Sequence, residues 1–565
     1  MSEEKRTAPE LPGAVQWGAC WLLILTSLFV LCAFASLLHL HVLSVSLPLC
    51  VIVSLMLFQK LAHYEGRPLR GRRLALIGVA FFVAVVAFGY VAAFIWEQSN
   101  WGRGFYTEAI VALAGGWNPI YDDAGTVSEL ALRSGKAVWY VDACLYTFLG
   151  HYEMAKAHTL LFAVPTFLLT RYCFGRLLHG RRRMAALAAL LAVFSPVAIS
   201  QVFSFYSDAV LAYCIQCFLL LAFLILNEGY LWSDLLMVLA FLWVFILHAT
   251  SGGLRAAVVL AVGFAVMLCV LYQKQAVRWL AIRAAVVTFS GFVIIGFNPF
   301  IQNLVDTGSL LSTTDLTASS MPVILEGKTW LGKMIYSMVA SPAIDSLGLN
   351  LLVQQLTALV NTAYAAPDVA LRGFGFIGGF LILIALVLLV FSVFLPRYKG
   401  MDSNAIYVSD EEGEEGAQVQ TDYIGRRLML LWFTVPVIFI VLFTSTIWWA
   451  RSIAVAWWLL PVALVALASR RDDGRSHIAR LLLTVAFLNC ALMAFSAWST
   501  AKMESGILEG YWARMADTTD LPSDEDAQLH NQFVTQFKYW NQLKHNGEQE
   551  REDHAIWTKI ERLVK

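Results

Sequence analysis

Residues 96–136 read WEQSNWGRGFYTEAIVALAGGWNPIYDDAGTVSELALRSGK, directly after the apolar run LALIGVAFFVAVVAFGYVAAFI at 74–95. The junction between the two decides the fold. The run is long enough to cross a hydrocarbon core as a helix of about 20 residues. The segment after it carries five carboxylates (Glu97, Glu108, Asp122, Asp123, Glu129) and three cations (Arg103, Arg133, Lys136). A polar loop on the end of a membrane helix points to catalysis or ligand capture at the membrane surface.

The same contrast extends along the chain. Hydrophobic residues make up 59% and charged residues 14%, against about a quarter charged in soluble domains. Barrel strands read as short alternating segments, whereas these runs are continuous, so the expected class is an all-α polytopic membrane protein. Apolar runs near 17–38, 42–62, 74–95, 156–177, 184–203, 206–226, 231–249, 252–272, 279–297, 373–396, 427–447, 452–469 and 479–498 predict about thirteen spans. The first is too long for a signal-peptide core and reads as a retained helix. The formal net charge of zero offers no basic surface for nucleic acid. Nine cysteines, most within apolar runs, read as packing residues; the Cys214/Cys217 pair has no soluble redox fold around it.

Lys and Arg in short loops set orientation. Arg67, Arg70, Arg72 and Arg73 share one loop; Arg176, Arg181, Arg182 and Arg183 another. Three further basic loops, including those around Arg278, Lys399 and Arg470, fall on the same side in this count. The amino terminus is therefore expected in the cytoplasm of a bacterial inner membrane, with the carboxyl terminus outside. The chain divides into 1–95 (tail and three spans), 96–155 (first outer loop), 156–297 (spans), 298–372 (second outer loop), 373–498 (spans, with an acidic cytoplasmic loop at 398–426) and 499–565 (a small helical extension capping the outer surface).

Within the first outer loop, Glu97 either marks where lipid stops or acts as a base whose pKa is raised by desolvation. Glu108 sits in FYTEAIVALAGGW, whose apolar spacing predicts a short interfacial helix ending at Gly115-Gly116. Trp117, Pro119 and Tyr121 suit an interfacial turn. Asp122 and Asp123 either cap a helix or bind a metal or substrate hydroxyls. Arg255 lies near the outer end of an apolar run, where a charge is expensive and usually functional, or snorkels. Arg451 lies between Trp448-Trp449 and Trp457-Trp458, as anchor or as ligand. His248 reads as a packed histidine. Lys328, Trp330, Lys333 and Tyr336 share a helical spacing in the second loop, as a lid or an interfacial helix.

A membrane helix, a carboxylate, an amphipathic helix and then Gly116-Trp117-Asn118-Pro119-Ile120-Tyr121-Asp122 resemble the first outer loop of GT-C superfamily glycosyltransferases, in particular the family-39 and aminoarabinose-transferase-like group. Gly150-His151-Tyr152-Glu153, Phe205-Tyr206-Ser207-Asp208-Ala209, Asn298-Pro299-Phe300 and Trp449-Ala450-Arg451 are similar to later landmarks of that plan. The resemblance implies a GT-C-like bundle with two large outer loops. It implies inverting transfer from a polyprenyl-phosphate sugar to a lipid, glycan or protein acceptor, on the outer face. Glu97 or Glu108 would be the base. Tyr106, Asn118, Tyr121, Asp122, Asp123, Lys136, Asp208, Arg255 and Arg451 would bind substrate, with Mg²⁺ or Mn²⁺, if used, at Asp122 and Asp123. A transporter or flippase of a lipid-linked solute is the alternative, drawn from the intramembrane Asp208, His248 and Arg255; a non-catalytic scaffold leaves the polarity of 96–137 unexplained.

Overall fold

The computed structural model describes residues 11–67, 69–97, 99, 102, 106–122, 127–178, 181–227, 233–249, 253–271, 274–310, 326–339, 374, 377–394, 450–468 and 473–517. Asp123, the expected span at 427–447 and the acidic run at 410–415 lie outside them. Every regular element among the described residues is helical. Three helices open the chain: α1 (Gly13–Leu37), α2 (Leu43–Tyr64) and α3 (Gly71–Ala93). The polar segment after α3 follows with α4 (Thr107–Ala114), α5 (Glu129–Arg133), α6 (Ala137–Leu149) and a 3-10 turn, Tyr152–Ala157. Next come α7 (His158–Leu177), α8 (Arg182–Val193), α9 (Pro196–Gln201), α10 (Asp208–Asn227), α11 (Ser233–His248), α12 (Gly253–Leu271) and α13 (Lys274–Ser290). The remainder comprises α14 (Gln302–Thr307), α15 (Trp330–Val339), α16 (Gly378–Phe394), a 3-10 segment Ala450–Trp458, α17 (Leu459–Ala468) and α18 (Asp473–Asp517).

Among the described residues seven helices are long and apolar enough to cross a membrane, or eight if a pair bent by 78° at Gly296 counts as one span. The coarse architecture is that of a multi-pass helical protein. Several expected spans are broken for visible reasons. The run at 184–203 splits into α8 and α9 because Ser195 caps the second helix through Ala198 N and Pro196 occupies its first position, where a missing N–H costs nothing. The run at 279–297 gives way to π-helical turns at 291–295 and 297–301 on either side of Gly296. Residues 499–517 do not begin a separate cap: they continue the 45-residue α18, roughly 65 Å long at 1.5 Å per residue and so longer than a bilayer core of about 30 Å.

Helix α1 is the hub, packed against α2, α6, α7 and α11, and Leu22, Ile24 and Leu25 are fully buried. Because lipid is as apolar as leucine, close packing rather than water exclusion must hold such helices together. Small residues supply it. Ala185, Ala188, Ala189 and Ala192 form one buried face of α8, which packs on α7 and α17, and a methyl at Gly18 would come within 3.0 Å of Leu169 on α7. Ile52, Val53 and Met56 on α2, and Leu76, Val79, Val83 and Val86 on α3, remain exposed; in a bilayer these faces meet acyl chains. Cys20, Cys32, Cys50, Cys144, Cys173, Cys214, Cys217 and Cys490 are free and buried, with Cys32 Sγ 3.5 Å from Cys144 Sγ. His248 lies between Phe29 and Phe300 and its Nε2 donates to Gly291 O (2.9 Å).

Candidate functional site

Glu97 is fully buried just past the end of α3. One carboxylate oxygen accepts from the Ser99 amide (3.0 Å) and from the Ser99 hydroxyl; the other accepts from the Phe205 amide (2.8 Å), 108 residues on. The Glu97 amide donates to Glu153 Oε1 (3.2 Å), Glu153 pairs with Lys156, and Lys156 donates to the Ile95 carbonyl. Gly102 closes the nest: its amide donates to Ser99 Oγ (3.0 Å), and a methyl there would overlap the Glu97 carboxylate. Burial pushes the Glu97 carboxyl up from its ordinary value, while Lys156, the Ser99 hydroxyl and the Phe205 amide oppose the rise. Sealed and engaged at both oxygens, Glu97 holds the 205–208 turn instead of presenting a lone pair to solvent.

The turn it holds carries Tyr206 and Asp208. The Arg451 guanidinium lies 4.7 Å from the centroid of the Tyr206 ring, a cation–π arrangement, and its charge acts on Asp208. Asp208 Oδ2 accepts from Gln201 Nε2 (3.1 Å), and Gln201 Oε1 accepts from the Ala209 amide (2.9 Å). Tyr106 meets Tyr206 edge-on at 5.8 Å and Trp139 at 5.3 Å. Behind them, His158 Nδ1 is 2.8 Å from Asp142 Oδ1, and His158 Nε2 is 3.3 Å from the Tyr206 carbonyl. Three expected site residues from three regions of the chain, Tyr106, Asp208 and Arg451, thus share one place. Arg451 is buried and Asp208 half-buried, so a cation and a carboxylate lie together on an aromatic floor.

The other expected residues lie elsewhere. Glu108, half-buried on α4, accepts from the Ser128 amide (2.8 Å) and so ties α4 to α5. The apolar face of α4, with Ala109, Ile110 and Leu113 buried, packs on α6 and not along lipid. Asn118, Tyr121 and Asp122 close a turn on the end of α1. Asn118 Nδ2 donates to Ser36 O (2.9 Å) and Ile120 N to Asn118 Oδ1 (3.0 Å). Asn118 N donates to Asp122 Oδ2 (2.7 Å), and Tyr121 Oη to Leu37 O (2.8 Å). Asn118→Ala should therefore cost about 2 kcal/mol, two buried hydrogen bonds at about 1 kcal/mol each. An unchanged denaturant midpoint would show that the turn does not depend on this side chain.

Lys136 is buried and donates to Leu132 O (2.6 Å), Ser134 O (2.9 Å) and Asn298 Oδ1 (2.6 Å); burial pushes its ammonium well below the usual lysine range. Asn298 Nδ2 in turn donates to Pro119 O (3.0 Å) and Gln302 Oε1 (2.6 Å), so Lys136 locks the segment at Asn298 onto the polar segment after α3. Arg255 stands exposed on α12. Among the described residues no group of three His, Cys, Asp or Glu side chains could hold a metal ion, and Asp122 is taken up by its own turn. Ser99, Lys156 and Gln201 were missed in the sequence, and Glu153 entered only within the Gly150-His151-Tyr152-Glu153 resemblance, with no site role. Only Glu153 and Lys156, three apart, gave a local signal.

No family model, curated protein or solved structure matches this chain.

Proposed function

We propose that the protein is an integral-membrane glycosyltransferase of the GT-C type, taking its sugar from a polyprenyl-phosphate donor at the outer face of a bacterial inner membrane. About thirteen spans, a cytoplasmic amino terminus and an outer carboxyl terminus belong to this reading. The observation that carries it is the meeting of Arg451, Asp208 and the Tyr206–Tyr106–Trp139 aromatics beside the first outer loop. Transfer from a lipid phosphate needs a fixed cation where charge develops on the leaving phosphate, a carboxylate to take the acceptor proton, and flat apolar surface for a sugar ring. In this reading Arg451 binds the phosphate, Asp208 takes the proton, and Glu97 positions both by holding Phe205. Glu97 and Glu108 as bases, the assignment the resemblance implies, fit their engaged oxygens less well.

The test is transfer by the full-length protein in nanodiscs from labelled polyprenyl-phosphate hexoses, pentoses and amino sugars to endogenous acceptor lipid and glycan. Asp208→Asn should lower the rate by about 10²–10⁴, the usual share of a general base, with donor retention preserved. Donor consumption unaffected by Asp208→Asn removes Asp208 from the chemistry; movement of an intact lipid-linked sugar across the bilayer, with no new glycosidic bond, replaces the transferase with a flippase.

The raised Glu97 pKa yields a separate expectation. A carboxyl whose folded-state pKa lies above its unfolded value contributes stability that is complete below the unfolded pKa and is lost as pH rises through the folded one. Wild type should therefore lose stability relative to Glu97→Gln as pH rises above the ordinary carboxylate range. Thermal melts of both proteins across pH measure it, and parallel curves would contradict the assigned direction.

A further inference from the structure

At the opposite end of α3 from Glu97, roughly 35 Å away at 1.5 Å per residue, a cavity of about 130 Å³ opens between the start of α1, the end of α2 and the entry to α3. Its polar lining is Gln16, Arg67, Arg70 and Arg73, and among the described residues no carboxylate lines it. Two nearby acids among the described residues are already engaged. Asp234 pairs with Arg67 (3.0 Å), both buried, and Glu65 accepts from the Ser233 amide (3.1 Å) and hydroxyl. Arg73 Nη1 donates to Gln16 Oε1 (2.9 Å), a neutral acceptor, and Gln16 Nε2 to Leu11 O (2.7 Å), so the glutamine fixes this guanidinium at the cavity without cancelling its charge. Both helices that begin here, α1 and α3, lack a side-chain cap and have no acidic residue in the first turn. Their positive dipole ends therefore add to the arginines.

We propose that this cavity binds a phosphate-ester anion. The space is large enough to admit a phosphate group. Guanidinium forks recognise phosphate oxygens in pairs. The ligand chemistry is shared by a phospholipid headgroup and free phosphate; the exposed apolar faces of α2 and α3 that lead to the cavity favour the lipid, with its chains along those faces. The site is independent of the outer-face chemistry and lies at the other end of the bundle.

The full-length protein in phosphatidylcholine nanodiscs doped with phosphatidylglycerol, analysed by native mass spectrometry, tests the lipid source. Thermal stabilisation by inorganic phosphate in detergent tests the free one. Arg70→Glu is the discriminating variant. Arg70 is exposed, and an acid at the start of α3 suits the helix dipole while repelling an anion. Losing a charged hydrogen bond should weaken retention of phosphatidylglycerol about tenfold or more, with the melting temperature in detergent without phosphate unchanged. Arg73→Gln, retaining size and a donor, should weaken retention in the same direction. Phosphate stabilisation lost in Arg70→Glu, without selective lipid retention, assigns the site to the free anion. Equal lipid retention and equal phosphate response in wild type and both variants overturn the proposal.

Discussion

Arg451→Ala should lower sugar transfer by about 10²–10³, the loss seen when one preorganised donor to a developing charge is removed, or about 3–4 kcal/mol. The geometry sets this size. Arg451 is buried on the Tyr206 ring, where a charge interacts more strongly than in water, and its planar guanidinium can face two phosphate oxygens at once. Arg451→Lys keeps the charge but loses the stacked fork, and should recover only part of the rate. A purely structural role predicts something different: if Arg451 serves only to neutralise Asp208, then Asp208→Asn combined with Arg451→Met should fold and melt like wild type and restore whatever the single change lost. In the proposed role the double variant regains stability but not transfer. Transfer by Arg451→Ala within threefold of wild type, at equal folded yield, would sink the assignment.

How this site assembles explains which parts of it were legible in the sequence. Long apolar runs such as 74–95 announce their helices because their hydropathy is a local property, and α1, α2 and α3 fall close to their expected bounds. Breaks inside runs are also local, and the Ser195-Pro196 cap was readable but overshadowed by the apolar residues around it. Asp208 and Arg451 stood out as polar residues at span ends and Tyr106 as a residue of the loop at 96–155, yet nothing in their spacing says that they meet. The link that brings them together, Glu97 to the Phe205 amide, uses a backbone donor that no sequence pattern marks. Asn118 and Asp122 looked like ligands because turn-forming and ligand-binding side chains are the same residue types; in the fold Asn118 reaches Ser36 O at the end of α1 and Asp122 accepts from the Asn118 amide, partners that no spacing in the sequence announces.

Glu97→Ala should destabilise the protein by about 3–5 kcal/mol. Three buried donors, the Ser99 amide, the Ser99 hydroxyl and the Phe205 amide, lose their acceptor at about 1–3 kcal/mol each, and water entering the vacated space offsets part of the sum. The effect should be local before it is global. In hydrogen exchange the Phe205 and Ser99 amides should lose protection first, while the amides of α1, which does not depend on this nest, keep theirs. Gly102→Ala should resemble it, since a methyl at that position displaces the same carboxylate. Glu97→Gln separates positioning from proton transfer. An amide oxygen still accepts from Phe205 or Ser99, so a positioning residue should leave transfer within about tenfold of wild type, whereas a general base should lose about 10²–10⁴. A Glu97→Gln protein that folds, protects the Phe205 amide and transfers nothing would return the base to Glu97 and leave Asp208 as the partner that orients Arg451. Retained transfer together with weakened protection at Phe205 would keep Glu97 beneath the site, as the residue on which the Tyr206–Asp208 turn is built.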